Sequence, residues 1–280
     1  MKHDTGTFGG RKQPQLFYQC WLPEGQARAV LIVVHGLAEH SSRYSNLVDY
    51  FVPRGFAVYA CDHQGHGQSP GRRAHVERFS DFVDDLEIFC ELVYRQQPNL
   101  CRLLIGHSMG GSIALAHAVS GRCRCEGLIL SAPSLKTNAE VPALLLAISG
   151  LLSRWTPTLR AVQLEAAAIS RDPQVVAAYE NDPLVFRGKI TARLGRELLD
   201  TMKSLELRGA ELALPLLVLH GTADRLTDPA GSQALLARAG SADKTLKLYP
   251  GFYHELFNEP GKEIVFADME NWLRQRLPAL

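Results

Sequence analysis

The sequence has no long uninterrupted hydrophobic run, no excess of charge of either sign and no cysteine pattern that suggests a framework. Each absence excludes something. The longest apolar stretch, Val141 to Leu152, is broken by Pro142, Ser149 and Gly150, and it falls short of the ~18–20 residues needed to span a bilayer. Met1 to Gln15 is polar and glycine-rich, without the apolar segment of a secretory leader. Lys and Arg number 30 against 29 Asp and Glu, a net charge of +1, which leaves no electrostatic footprint for nucleic acid. The six cysteines, Cys20, Cys61, Cys90, Cys101, Cys123 and Cys125, are scattered through expected strands and helices and read as free thiols. Cys123-x-Cys125 lacks the two-residue gap and second ligand pair of a zinc site, so no metal is expected. What remains is a chain of 280 residues, 46% hydrophobic, with ample material for one large core and the composition expected of a cytoplasmic protein.

Apolar runs that could be strands alternate with helical patterns. Gln15 to Leu22, Ala29 to Val34, Gly55 to Cys61, Arg102 to Gly106 and Gly127 to Ser131 read as strands. Tyr44 to Pro53 and Phe79 to Gln97 read as helices, the second carrying Phe82, Leu86, Phe89 and Val93 at helical spacing. That order predicts βαβ units and a mostly parallel central sheet flanked by helices, an α/β fold. From 135 to 212 the alternation stops. The segment is rich in Ala, Leu and Arg, broken by Pro142, Pro157, Pro173 and Pro183, and shows no convincing strand. It reads as several short helices inserted as a cap into a core made of 1–134 and 213–280. Leu144, Leu145, Ile148 and Leu152 make one of those helices apolar nearly all round. Such a helix is either buried on both sides or lines a pocket for an apolar ligand. Leu214 to Leu219 and Thr245 to Tyr249 resume the sheet, with helices at Pro229 to Ala239 and Ile264 to Leu277.

The chemistry gathers at strand ends. Leu103 to Ile105 runs into Gly106-His107-Ser108-Met109-Gly110-Gly111, and a helical segment follows at once. A G-x-S-x-G between strand and helix is a nucleophile elbow, in which a strained turn holds the serine out at the edge of the sheet. A serine hydroxyl is a poor nucleophile at neutral pH; it needs a base within reach and an acid to fix that base in one tautomer. Asp224 follows the Leu214 to Leu219 strand and His254 follows the Thr245 to Tyr249 strand, in the order Ser, Asp, His. Asp228 stands beside Pro229, where an N-cap is expected. His220 precedes Gly221 at a strand end and reads as structural; strand alternation turns His107 away from Ser108. His35-Gly36-Leu37 ends the Ala29 to Val34 strand, and the backbone N–H groups of Leu37 and Met109 are the expected donors to an oxyanion. The histidines of Asp62-His63-Gln64-Gly65-His66-Gly67 suggest a metal site at first sight, but a glycine-rich loop bracing the His35-Gly36 turn is favoured.

Five segments together resemble the monoacylglycerol lipase and lysophospholipase-like branch of the α/β-hydrolases: HGLAEHSSRY (35–44), DHQGHGQS (62–69), GHSMGG (106–111), HGTADRLTDP (220–229) and YPGFYHELFNEP (249–260). Within 135–212 the likeness lies mainly in YENDPL (179–184). The resemblance implies an α/β-hydrolase fold, Ser108 as nucleophile, Asp224 as orienting acid, His254 as base, and Leu37 and Met109 as oxyanion donors. It implies hydrolysis of one fatty-acyl ester of glycerol through an acyl-serine, with no cofactor and with a small lipid as partner. The cap would touch a membrane surface transiently. Glu39 and Arg43 match positions that help hold the glycerol head. Two positions depart from the mammalian pattern: Phe257 replaces a histidine three residues after the base, and Thr227 replaces a cysteine in the aspartate loop.

Other readings fit less well. Epoxide hydrolases and haloalkane dehalogenases carry aspartate at the elbow, and proline-releasing peptidases have a Gly/Pro-rich oxyanion loop unlike His35 to Glu39. A broad carboxylesterase or lysophospholipase would share the same three residues. A non-catalytic receptor for a hydrophobic ligand would not need them.

Overall fold

The computed structural model describes residues 1–138, 153–163 and 165–277. An eight-stranded sheet forms the centre. Its strands are β1 (Lys2–Phe8), β2 (Leu16–Leu22), β3 (Ala29–Val34), β4 (Phe56–Cys61), β5 (Arg102–His107), β6 (Gly127–Ser131), β9 (Leu216–Gly221) and β10 (Lys244–Tyr249). They lie in the order β1-β2-β4-β3-β5-β6-β9-β10. The first two pairings, β1 with β2 and β2 with β4, are antiparallel, and from β4 onward every neighbour is parallel. Strands β3, β4, β5, β6 and β9 are buried along their whole length, as continuous apolar runs require when helices cover both faces.

Alternation along each strand sorts side chains between the two faces. Val30, Ile32 and Val34 join Leu128, Leu130 and Val218 in one core, packed against α2 (Phe79–Gln96) and α3 (Met109–Ala118). Ala29, Leu31 and Val33 join Ile129, Leu217 and Leu219 in the other, beneath α1 (Ser45–Phe51) and the closing helix Lys262–Arg274. The parallel sheet points its carboxyl ends to one edge, and the site is built there.

Two elements depart from the sequence expectation. Strand β1 arises within the polar stretch before Gln15; its residues are mostly exposed and only Phe8 is buried, so no apolar alternation marks it. Between β6 and β9, where no strand was expected, β7 (Arg160–Val162) and β8 (Ile190–Thr191) pair antiparallel. This inserted segment also holds α4 (Pro173–Asn181), capped by Asp172 onto the Gln174 N–H, and α5 (Ala192–Arg208), capped by Thr191 onto the Leu194 N–H. At 17 residues α5 is a long helix, not one of several short ones. Helices α6 (Pro229–Arg238) and α7 (Lys262–Arg274) complete the chain. Asp228 caps α6 through the Ala230 N–H, as expected. Among the described residues no helix is long and apolar enough to cross a membrane. Leu144, Leu145, Ile148 and Leu152 lie outside the described residues.

Candidate active site

Ser108 stands between β5 and α3 with φ 53° and ψ −119°. A non-glycine residue held there costs about 1–3 kcal/mol, which the surroundings must over-determine. They do so through the backbone. Ser108 N–H donates to the Ser131 carbonyl, and the Ser108 carbonyl accepts from the N–H groups of Gly111 and Ser134, all at 3.0 Å. The flanking glycines are required by close approach. A Cβ on Gly106 would sit 2.6 Å from the Gly110 carbonyl oxygen, and one on Gly110 would sit 2.0 Å from that of Val34. Only glycine lets α3 come this close to β3 and β5.

The turn after β3 lies against the elbow: a Cβ on Gly36 would be 3.2 Å from Ser108 Cβ. Its shape is set by buried polar groups. Glu39 Oε1 accepts from the Gly36 N–H at 2.6 Å and from the Tyr44 hydroxyl at 2.8 Å. His35 Nε2 accepts from the His63 N–H at 2.9 Å, and His63 Nε2 returns a bond to the His35 carbonyl at 3.1 Å. Asp62 accepts from the N–H groups of Ser41 and Gln68, both at 2.8 Å. The glycine-rich loop therefore braces the turn, as the sequence suggested. Burial with the His66 imidazole holds His63 down at about 3, and burial with the Arg73 charge holds His66 down at about 4, so both stay neutral. Among the described residues, no hydrogen-bond acceptor faces the N–H of Leu37 or of Met109.

His254 and Asp224 meet as their positions after β10 and β9 predict. His254 Nδ1–H donates to Asp224 Oδ2 at 2.7 Å, and both residues are buried. Asp224 Oδ1 accepts from the N–H groups of Leu226 and Thr227 at 2.8 and 3.0 Å. Its Oδ2 also accepts from the Thr227 hydroxyl at 2.9 Å and faces His220 Nε2 at 3.2 Å. Burial alone would raise this carboxyl; the His254 charge and the donors from His220, His254 and Thr227 hold it far below the usual range instead. Burial pulls His254 down, yet Asp224, with Glu255 and Glu39 nearby, brings it above the ordinary imidazole value. His107 lies beside the base. Its ring lies 4.7 Å from that of His254, and burial with the His254 charge pushes it down to about 3.

Glu39 and Arg43 belong to a buried ion network whose third member, Glu255, the sequence reading missed. Arg43 binds Glu255 through Nη1 and Nη2 at 2.5 and 2.8 Å, reaches Glu39 Oε2 at 3.2 Å and lies 4.7 Å above the Tyr179 ring. Its only sequence signal is adjacency to His254. The motif 179–184 is explained by the same contacts: Tyr179 supports Arg43, and Asp182 bonds His40 at 2.9 Å. Phe257 is buried against Phe266, and Thr227 fills the aspartate loop as a hydroxyl donor.

Comparison with known proteins agrees with this geometry. A family model described as Hydrolase_4, serine aminopeptidase S33, matches residues 25–261. The chain is 40% identical over 271 residues to a monoacylglycerol lipase of Mycolicibacterium smegmatis, covering 97% of both chains. It is 35% identical over 264 residues to the human monoglyceride lipase, covering 93% of this chain and 87% of that one. The crystal structure of Paleococcus ferrophilus monoacylglycerol lipase superposes with a TM-score of 0.83 at 32% identity, covering 93% of this chain and 99% of that one. The chain is a hydrolase and belongs to the monoacylglycerol lipase branch of the α/β-hydrolase superfamily.

Proposed function

We propose that this protein hydrolyses monoacylglycerols to fatty acid and glycerol, with Ser108, Asp224 and His254 as its catalytic triad. The observation that carries the reading is the buried His254–Asp224 bond on the loops after β9 and β10, at the sheet edge where the elbow holds Ser108. Ser108 Oγ attacks the ester carbonyl while His254 Nε2 takes its proton. The tetrahedral oxyanion is held by the N–H groups of Leu37 and Met109, donors of a kind worth about 3 kcal/mol each. His254 then returns the proton to the departing glycerol oxygen. Water attacks the acyl-serine with the same base, and the fatty acid leaves. His107 stays neutral beside His254 and so does not compete for the proton.

Residues 135–212 are the cap in this reading. Its Trp155, Leu159 and Val162 expose apolar surface, at 73%, 46% and 58%, which suits transient contact with a lipid surface. Glu39 and Arg43 shape the alcohol side from behind. Both oxygens of Glu39 are already engaged by Gly36, Tyr44 and Arg43, so it acts through the loop that presents Leu37.

The test is kcat/KM on acetyl, decanoyl and palmitoyl esters of glycerol, with Ser108→Ala as control. The decanoyl and palmitoyl esters should be turned over better than the acetyl ester, and Ser108→Ala should lose roughly 10³-fold or more in kcat. Equal or better turnover of the acetyl ester points to a broad carboxylesterase. Near-normal turnover by Ser108→Ala removes the triad altogether.

A further inference from the structure

The carboxylate that orients His254 has a second imidazole against it, His220, whose Nε2 lies 3.2 Å from Asp224 Oδ2, and that imidazole has a fixed partner of its own. We infer that His220 is a positioning residue for the reaction: its Nε2–H pins Asp224 Oδ2 toward His254, and the Ser232 hydroxyl satisfies Nδ1 in the tautomer that does so. The inference rests on the reading of Asp224 and His254 as the acid–base pair.

The tautomer follows from what each nitrogen faces. His220 Nε2 lies 3.2 Å from Asp224 Oδ2 and 3.3 Å from both the carbonyl oxygen and the hydroxyl oxygen of Thr227. The ionised Asp224 and the carbonyl have no proton to give, and the Thr227 hydroxyl gives its own to Asp224 Oδ2 at 2.9 Å, so Nε2 carries the hydrogen. In the neutral ring Nδ1 is then an acceptor, and Ser232 Oγ stands 2.7 Å from it. Ser232 therefore donates, and its hydroxyl satisfies the buried Nδ1 lone pair that this tautomer leaves. His220, Asp224 and Ser232 are sealed from solvent: His220 and Ser232 have no exposed surface, and Asp224 has 6%. In such surroundings a hydrogen bond to a carboxylate is strong and its loss is not made good by water.

The three supports of Oδ2 differ in origin. His254 comes from the loop after β10, Thr227 from the aspartate loop, and His220 from the end of β9 itself. His220 alone is carried on a central strand, buried along its length, and Ser232 sits on α6, packed on that strand. The chain Ser232–His220–Asp224–His254 thus ties the loop-borne acid–base pair to the central sheet. The charged or titratable groups facing His220 are Asp224 and, from the α6 N-terminus, Asp228, which Lys136 neutralises at 2.8 Å. Those facing His254 are Asp224, His107, Glu255 and Glu39.

Removing the His220 donor leaves the Asp224 charge less shared, so His254 is held more firmly as an imidazolium and the aim of its ring loosens. His220→Ala should lower kcat about 10- to 100-fold, leave KM within about twofold, and move the acid limb of kcat/KM to higher pH. His220→Gln, whose amide can reach the same oxygen, should restore most of both. Ser232→Ala should shift kcat and the limb in the same direction by less, and should add nothing in a His220→Gln background. The assay is hydrolysis of decanoylglycerol between pH 5 and 9, with circular dichroism on each variant and fluorophosphonate labelling of Ser108. Unchanged kcat and acid limb in Ser232→Ala overturn the inference even if His220→Ala does not fold. So does a His220→Gln variant no better than His220→Ala, because only packing would then matter. Turnover surviving in Ser108→Ala instead overturns the triad reading, a separate failure.

Discussion

Arg43→Met tests the buried ion network most directly. Methionine keeps an apolar stem of similar length and removes the guanidinium, whose carbon lies over the Tyr179 ring. The side chains of Arg43, Glu39 and Glu255 are 9%, 6% and 6% exposed, so water does not replace the lost partner. Glu39 retains Gly36 and Tyr44, and among the described residues Glu255 retains only the Asn258 side chain, at 2.8 Å, as a hydrogen-bond donor. Breaking a buried pair by deleting one partner costs about 3–5 kcal/mol, and losing the contact with the Tyr179 ring adds up to about 1 kcal/mol. For a chain of this size that corresponds to a fall in Tm of roughly 10 °C. The pH dependence is diagnostic. In the native protein burial would raise Glu255, but Arg43 holds it below the usual carboxylate value. Its stabilisation is thus present above that value and lost as pH falls. Glu39 is already raised by burial. Without Arg43 both carboxyls rise, so the variant's deficit is largest at neutral pH and shrinks as pH falls toward the carboxylate range. Thermal and urea unfolding of both proteins at pH 7.5 and 5.5 measure it. A deficit below about 1 kcal/mol, or one equal at both pH values, refutes the argument.

The raised His254 value sets the acid limb of kcat/KM. The base must be neutral to act, so activity should fall as pH drops through a point above 6.5, the ordinary imidazole value. A limb well below it would mean that Asp224 does not govern His254. Gly110→Ala places a methyl 2.0 Å from the Val34 carbonyl oxygen and 2.4 Å from that of His35. Because both belong to backbone leaving a central strand, the cost should be roughly 3 kcal/mol or more, read as a large loss of Tm; a folded variant of normal stability would show that α3 can move off β3.

The core strands were legible because burial on both faces makes them continuous apolar runs, and the loops after them announce themselves by Gly, Asp and His. Asp224 and His254 could be paired from sequence for that reason, and Ser108 placed at the turn between β5 and α3. Strand β1 could not. Its pairing with β2 is backbone bonding at an edge, and with only Phe8 buried its sequence has no reason to alternate. The inserted strands β7 and β8 are three and two residues long, below the length at which any period can be read. The second rank of the site was hidden for another reason. Arg43 and Glu255 stand 212 positions apart, and nothing local distinguishes a glutamate that will be buried against an arginine from one that will be solvated. His220 and Thr227 sit inside a recognised segment, but their aim at Asp224 is a property of the folded loop alone.

The inserted segment is divided by its packing in a way that its composition conceals. Leu194, Leu198 and Leu205 of α5 share one core with Leu115 of α3 and Leu130 of β6, so this helix is part of the body of the protein. The stretch before it is fastened to the loops of the site. Phe186 N–H donates to the Ala38 carbonyl at 2.9 Å, and Asp182 bonds His40. Glu259, with no exposed surface, binds Arg171 and Ser170 on one side and the Tyr253 N–H on the other. The Asn138 side chain donates to the Asp224 carbonyl at 2.7 Å. Each tie ends on a loop that carries Leu37, Asp224 or His254. A change that loosens residues 166–191 therefore reaches the oxyanion turn and the base directly. In the proposed reading, where the inserted segment selects the substrate, selection and the chemical step share the same fasteners, and substitutions along them should lower kcat together with any change in KM.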